Sequence, residues 1–159
     1  LLLLPFFNGE RVPALPEASA SLHGMTSSNL TRANLCRAVL EGTCFSLRYG
    51  LDLLRASSLQ GQEIRLVGGA AKSPLWRQTL ADLLGLPVVC PRQTEAAALG
   101  AAIQAAWSLG RKLGEGDSLQ ALCQRCVELD ESTRTTPRPA QQAAYETAYQ
   151  RYLSHLPAH

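Results

Sequence analysis

The sequence has few aromatic residues and almost no excess charge, and both shortages narrow its function. Aromatic side chains make up 6% of the 159 residues, and 15 lysines and arginines nearly balance 13 aspartates and glutamates, for a formal net charge of +2. Proteins that bind nucleic acid or anionic membranes concentrate positive charge on one surface. We therefore expect neither nucleic acid nor a membrane as a partner.

Long apolar runs are also missing from the sequence. The run Leu1–Leu4 ends at Pro5, and no stretch approaches the roughly 20 apolar residues needed to cross a bilayer. A secretory signal peptide needs a basic start, an apolar run and a small-residue cleavage site, but here the chain has no initiator Met and the apolar run stops by Phe7. We interpret the start as a point inside a longer protein and expect a cytoplasmic location.

Histidines are scarce and cysteines are odd in number, which limits metal sites, disulfides and nucleophilic catalysis. Of the five cysteines, Cys36, Cys44 and Cys90 lie inside helix or strand patterns, as expected for buried, reduced thiols. Cys123 and Cys126 form one C-x-x-C, but a structural zinc needs further ligands and the three histidines are scattered. We therefore assign no metal site and no catalytic residue.

The first third of the chain combines turn-rich sequence with one long helix. Residues 1–28 contain two short apolar pieces, 1–7 and 20–25, that predict strands. Apolar residues then recur at steps of three and four, which predicts a helix from Asn29 to Ala56 capped by Asn29 or Thr31. Glycine weakens a helix, so Gly42 inside it indicates that another backbone passes close to that face.

The middle of the chain alternates strands and helices, which is typical of an α/β fold with parallel strands and right-handed crossovers. The third helix has Ala and Gly on every face, and a helix of this composition can lie very close to a sheet. The rest is polar with one short helix, followed by a terminal helix with a tyrosine stripe. The predicted elements are strands at 64–67 and 86–90 and helices at 74–84, 94–109, 118–129 and 141–156.

The junction at Gly68 and Gly69 is the sharpest local signal for a binding site. Glycines let a ligand approach the backbone, and the free N–H groups where Ser73 caps the next helix favour oxygen-rich or anionic groups. A plain tight turn explains the same residues, and neither the dinucleotide-binding fingerprint nor a Walker A motif is present.

Three other polar features have mainly structural interpretations. Asp82 on the 74–84 helix is interpreted as a solvated carboxylate. Glu41 lies near an apolar stripe and needs a partner if it is buried. The loop 8–11 either contacts a polyanion through Arg11 or is held by an internal ion pair, and we favour the ion pair.

Several blocks together resemble the FGGY carbohydrate kinases. The sequence A-x-L-x-G-M at 20–25, followed after eight residues by N-L-x-x-A-V-L-E at 34–41, matches a signature of that family. L-P-F-F-N-G-E-R-V-P at 4–13 is similar to another family loop. The blocks at 67–78, 80–82 and 95–102 look most like the xylulokinase branch. The resemblance covers residues 1 to about 110 in the family's order.

The resemblance implies a kinase of two actin-like (ribonuclease H-like) domains that transfers the ATP γ-phosphoryl group to a sugar hydroxyl with Mg²⁺. In the xylulokinase branch the acceptor is D-xylulose and the product D-xylulose 5-phosphate. Residues 1–159 would be part of the C-terminal, nucleotide-side domain, with 141–156 as a terminal docking helix. The N-terminal sugar-binding domain would lie outside this chain.

The resemblance also implies which residues contact the nucleotide. Gly68, Gly69, Ala70 and Ser73 would line the adenosine pocket, although the position of Ser73 is Asn in some members. The family's catalytic Asp, its sugar contacts and its N-terminal phosphate loop belong to the first domain, so the chain alone is expected to be inactive.

Two alternatives remain open on the sequence. One is a kinase for another acceptor such as gluconate, ribulose or glycerol. The other is a noncatalytic actin-like module that binds nucleotide or mediates oligomerisation. An exposed sheet edge beside Leu1–Phe7 would also favour a homodimer or aggregation.

Overall fold

The computed structural model describes residues 1–114 and 116–157. Strands and helices alternate through its middle, which confirms the α/β fold class. A 3-10 turn, Gly69–Lys72, precedes α2. The elements in chain order are β1 (Leu2–Leu4), β2 (Ser21–His23), α1 (Arg32–Ala56), β3 (Ile64–Arg65), α2 (Pro74–Leu84), β4 (Val88–Pro91), α3 (Ala96–Leu113), α4 (Leu119–Cys126), β5 (Leu129–Thr135) and α5 (Pro139–Ser154).

The strands form two small sheets. β1 and β2 pair antiparallel, while β3 and β4 pair parallel, as predicted for the alternating units. β5 pairs antiparallel with β4 and was missed by the sequence analysis. Its sequence, L-D-E-S-T-R-T, lacks alternating apolar residues, so only its pairing makes it a strand. The backbone N–H of Cys90 donates to the Thr133 hydroxyl at 2.9 Å within this pairing.

α1 packs directly on β1 at the predicted glycine. Thr31 caps the helix by accepting from the backbone N–H of Asn34 at 3.2 Å, so of the two candidate caps it is the one used. A Cβ added to Gly42 would lie 2.4 Å from the carbonyl oxygen of Leu3. The expected close approach of another backbone is confirmed.

α2 begins and ends at the predicted residues. Ser73 accepts from the backbone N–H of Trp76, and Pro74 occupies the first helical position. Gly85 ends the helix in the left-handed conformation at φ 69°. Two arginines of α1, Arg48 and Arg55, then donate to the last carbonyls of α2, where cations face the negative end of the helix dipole.

α5 packs against α1 through aromatic side chains. Tyr149 and Tyr152 are buried, and their ring centroids lie 5.9 and 5.5 Å from that of Phe45. The Arg48 guanidinium lies 4.2 Å above the Tyr149 ring. The Tyr152 hydroxyl lies 2.9 Å from Ser46 Oγ.

α3 packs against another helix instead of making the close approach to a sheet that its small residues allow. Within it, Ile103 is buried, most of its alanines are exposed, and it packs mainly against α4. The alanines and glycines therefore form surface here. Its end, Leu113, is four residues beyond the prediction because Gly114 supplies the left-handed cap at φ 72°.

The cysteines follow the prediction except at one position. All five are free, and Cys44 and Cys90 are buried while Cys36 is exposed. Cys36 lies in the exposed first turns of α1, ahead of the buried segment that begins at Ala38. Burial raises the pKa of the Cys44 thiol to about 12, so that thiol stays protonated.

None of the helices in residues 1–114 and 116–157 combines the length and apolar character of a membrane-spanning segment.

Candidate functional site

The candidate site begins where the chain leaves β3. Gly68 has φ 79° and ψ −162°, a conformation that other residues rarely adopt. The 3-10 turn Gly69–Lys72 follows, and the Ser73 N–H donates to the Ala70 carbonyl at 3.1 Å before Ser73 caps α2. The segment 68–73 therefore lies between the carboxyl end of a parallel strand and the amino end of a helix, where ligands bind in open α/β sheets.

The backbone at the start of this segment is open. A Cβ added to Gly68 or Gly69 would meet no atom within 4 Å, and both glycines are exposed. Ala70 and Ser73 are half-buried. Ser73 Oγ accepts from the Trp76 N–H at 3.4 Å, which leaves its hydroxyl proton to donate elsewhere. A ligand therefore has direct access to the backbone of Gly68 and Gly69.

The segment is held from behind by α2 and β4. The Ala71 carbonyl accepts from Arg77 Nη1 at 2.7 Å, and Cys90 Sγ lies 3.7 Å from the same oxygen. Arg77 Nε is buried and has no hydrogen-bond partner among the described residues. These contacts fix the turn without covering its open face.

The cleft beside the turn is small. Its volume of about 30 Å³ is the share of one water molecule in liquid water, far below the roughly 300 Å³ at which small-molecule pockets begin. The cleft at the turn is therefore too small by itself to enclose a small molecule. Its lining residues are Leu66, Val67, Gly68, Ala71, Lys72, Pro91, Gln93 and Thr94.

Sequence reasoning missed the contribution of the loop after β4. Pro91, Gln93 and Thr94 lie beside the Gly68 turn because β3 and β4 are parallel and their carboxyl ends meet at one edge. The predicted parallel pairing was the signal that could have found them. Lys72 adds a positive charge to the same cleft.

Asp82 is a buried anchor, not the solvated carboxylate that was predicted. It accepts from the backbone N–H of Arg138 at 2.7 Å, from Arg138 Nε and Nη2 at 3.0 and 2.7 Å, and from Gln78 Nε2 at 2.9 Å. Burial alone raises the pKa of Asp82, but the hydrogen bonds from Arg138 and Gln78 outweigh it and leave the pKa below 3.8. Asp82 therefore ties α2 to the start of α5.

The other two polar features are also structural. Glu41 has the partner that it was expected to need, since Arg37 Nε donates to it at 2.6 Å. Arg37 also donates to the Tyr145 hydroxyl. Glu10 Oε1 accepts from the backbone N–H groups of Arg11 and Val12 at 2.7 and 3.2 Å. The Asn8–Arg11 turn is thus held by backbone amides instead of the expected ion pair.

Residues 1–114 and 116–157 contain no group of three or more His, Cys, Asp or Glu placed to hold a metal ion. His23 and His155 pack edge to face with centroids 4.3 Å apart, and His159 lies outside the described residues. Cys123 and Cys126 are exposed on α4.

Comparison with known protein sequences assigns the chain to a family. Residues 1–109 match the sequence model of the C-terminal domain of the FGGY family of carbohydrate kinases. The chain is 53% identical over 156 residues to "Xylulose kinase" of Haemophilus influenzae, covering 98% of this chain and 31% of that protein. It is 37% identical over 153 residues to "Glycerol kinase" of Dechloromonas aromatica, covering 95% and 30%.

Solved structures of the same family share the fold. Ligand-bound xylulose kinase and gluconate kinase, both from Lactobacillus acidophilus, each match with a TM-score of 0.83 at 27% identity, covering 97% of this chain and 30% of theirs. Plasmodium falciparum glycerol kinase with ADP matches in fold with a TM-score of 0.73 at 22% identity, covering 99% and 31%. The chain therefore spans about a third of the length of these proteins. It belongs to the FGGY family of carbohydrate kinases and has the α/β fold of the C-terminal half of these actin-like enzymes.

Proposed function

We propose that this chain is the nucleotide-side part of an ATP-dependent sugar kinase that converts D-xylulose to D-xylulose 5-phosphate. Membership of the FGGY family and 53% identity to a xylulose kinase support a sugar kinase. The structural observation that carries the proposal is the open backbone of Gly68 and Gly69 at the amino end of α2.

The residues of the turn have distinct roles in this proposal. Gly68 and Gly69 let the adenosine lie against the backbone, because a side chain at either position would occupy that space. Ala70 keeps the contact small, and the Ser73 hydroxyl donates a hydrogen bond to the nucleotide. The small cleft fits this role, since a second wall from the rest of the polypeptide would complete the pocket.

ATP supplies the γ-phosphoryl group, and Mg²⁺ neutralises the phosphates during such transfers. The described residues contain no metal-binding cluster. We therefore assign Mg²⁺ to the nucleotide phosphates and to groups outside the described residues.

The remaining catalytic parts are assigned outside this chain. Phosphoryl transfer depends on positioning the acceptor hydroxyl and the phosphate, and the proposed sugar-binding domain would supply the acceptor site and the base. We assign no catalytic residue here and expect the chain alone to be inactive. A cytoplasmic location belongs to the same proposal.

A second candidate is a kinase for another acceptor. A glycerol kinase is 37% identical to this chain and a gluconate kinase shares its fold, so gluconate, ribulose or glycerol remains an alternative acceptor. A noncatalytic nucleotide-binding module would replace both kinase candidates if the whole polypeptide phosphorylated none of these acceptors.

Nucleotide binding tests the assigned turn directly. A Cβ added at Gly69 would meet no atom within 4 Å, so we expect Gly69→Val to keep the fold while its side chain enters the proposed ATP position. We expect at least about a tenfold loss of ATP affinity, measured by NMR shifts at millimolar ATP.

Gly61→Val is the control for this variant. Gly61 is an exposed loop residue whose added Cβ would approach only the Glu63 carbonyl, at 3.9 Å. Its substitution should leave binding unchanged. Equal affinity of Gly69→Val and the unmodified chain would contradict the assignment of the turn.

A further inference from the structure

α4 ends in a pair of thiols that the proposed function does not use. Cys123 and Cys126 are both free and both exposed. They lie in the last turn of α4, where the Val127 N–H donates to the Cys123 carbonyl at 2.9 Å. Residues three apart on a helix are neighbours on its surface. The C-x-x-C spacing therefore places two exposed thiols side by side on one helical turn.

The backbone distance between these two cysteines suits a disulfide. Helix geometry separates Cα atoms three residues apart by about 5 Å, and disulfides usually join Cα atoms roughly 4.4 to 6.8 Å apart. The two Cβ atoms must approach each other by about 1 to 2 Å before the sulfurs can bond. Cys126 is the last residue of α4, and Val127 is already extended at φ −101° and ψ 92°. The approach therefore needs movement only at a helix end.

Cys36 provides the contrast of a single exposed thiol on a helix. Cys44 and Cys90 are buried, whereas Cys36 is exposed. Cys44 is the other cysteine of α1, and it follows Cys36 by eight positions, which is about 12 Å along the helix axis. That distance is beyond the reach of a disulfide. Cys36 therefore has no thiol within reach on its own helix and serves as the internal reference.

Cys123 also lines an apolar pocket between α3, α4 and the loop after β4. Its volume of about 360 Å³ exceeds the roughly 300 Å³ at which small-molecule pockets begin, so a small reagent has room beside this thiol. Pro91 and Gln93 line both this pocket and the cleft at the Gly68 turn. The pair of thiols therefore lies one loop away from the proposed nucleotide position.

We propose that Cys123 and Cys126 form a reversible redox site, which a small disulfide such as oxidised glutathione converts to an intramolecular disulfide. The thiolate of one cysteine attacks the glutathione disulfide, bonds to one glutathione and releases the other. The second cysteine then attacks the protein sulfur of this mixed disulfide and releases the remaining glutathione. Over the two steps the two protein sulfurs are oxidised, and the two glutathione sulfurs are reduced and take up the two thiol protons. This oxidation does not depend on which sugar the polypeptide phosphorylates.

The test treats the whole polypeptide that contains this chain with oxidised glutathione, blocks the remaining thiols and identifies the tryptic peptides by mass spectrometry. Trypsin cuts after Arg125, between the two cysteines, so the disulfide would join peptide 113–125 to peptide 126–134. We expect these linked peptides as the main product at both cysteines, and dithiothreitol should separate them. Any product at Cys36 should be a glutathione adduct, because no second thiol lies within reach on its helix.

Serine variants test whether each cysteine resolves the mixed disulfide of the other. In Cys126→Ser the glutathione on Cys123 cannot be displaced from within the helix, so its adduct on peptide 113–125 should rise at least about tenfold. Cys123→Ser is the reciprocal variant and should accumulate the adduct on peptide 126–134. Cys36→Ser is the matched control and should leave the yield of linked peptides unchanged.

Three results would overturn the proposal. The first is an equal amount of glutathione adduct on Cys123 with and without Cys126. The second is a main disulfide that joins two polypeptides, which sedimentation would show as a dimer that dithiothreitol dissociates. The third is recovery of Cys123 and Cys126 as free thiols after the treatment.

Discussion

At the scale of single residues, Asp82 shows how a distant partner changes the role of a side chain. The sequence predicted a solvated carboxylate because nothing nearby in the helix required burial. Arg138 lies 56 positions away and approaches Asp82 only after β5 returns the chain to α2. No local pattern carries that information.

Removing the charge of Asp82 should destabilise the fold. Asp82→Asn keeps the shape but loses the carboxylate charge that accepts three hydrogen bonds from Arg138, and a hydrogen bond to a charged group contributes about 1.5 to 3 kcal/mol. Urea unfolding measures the change. Asp117→Asn removes an exposed pair with Arg125 and should leave the midpoint unchanged. Equal shifts for both variants would contradict a special role for Asp82.

The same carboxylate should make stability depend on pH. Its pKa in the folded state is below the ordinary 3.8. Its contribution to the free energy of unfolding is therefore fully present above pH 3.8. The contribution is lost as the pH falls through the folded-state pKa. The gap in unfolding free energy between the unmodified chain and Asp82→Asn should therefore narrow below pH 3.8. A gap that stays constant down to low pH would show that Asp82 is not ionised in the fold.

The candidate site was only partly predictable at this scale. Gly68, Gly69 and the Ser73 cap are local features, and the structure shows the open turn and the cap that they indicate. Gln93 and Thr94 were missed because they lie beside the turn only when β3 and β4 pair. The role of these residues in binding nucleotide stays a prediction.

At the scale of elements, α1 contains two glycines whose replacement by alanine should change the stability of the fold in opposite directions. Gly42→Ala would push a methyl group against the Leu3 carbonyl, and forcing such a contact costs about 1 to 3 kcal/mol. Gly50→Ala meets open space and should stabilise the chain by about 0.5 to 1 kcal/mol through helix propensity. Thermal unfolding of the two variants checks both signs. A stabilising Gly42→Ala would mean that β1 does not pack on α1.

Elements with a strong local pattern were predictable, and elements set by pairing were not. α2 has a serine cap, a first-turn proline and a terminal glycine, and its bounds were predicted correctly. β5 is polar and exists because β4 offers it an edge. The packing of α3 could not be predicted, because small residues allow close packing without requiring it.

At the scale of the whole molecule, the chain spans about a third of the length of the family relatives that it matches. In our proposed function, the small cleft at Gly68 would be completed by the remaining polypeptide. The sequence of this chain carries no information on that missing wall. It also leaves the acceptor sugar undetermined, because the acceptor contacts are assigned outside the chain.

The most direct test is ATP-dependent phosphorylation by the whole polypeptide that contains this chain. The acceptors are D-xylulose, D-ribulose, gluconate and glycerol, with the 159-residue chain alone and the Gly69→Val whole polypeptide as controls. We predict faster turnover on D-xylulose than on the other acceptors. Turnover should be strongly reduced in the Gly69→Val whole polypeptide, and the chain alone should show no turnover. Turnover on none of the acceptors, or turnover by the chain alone, would contradict the account.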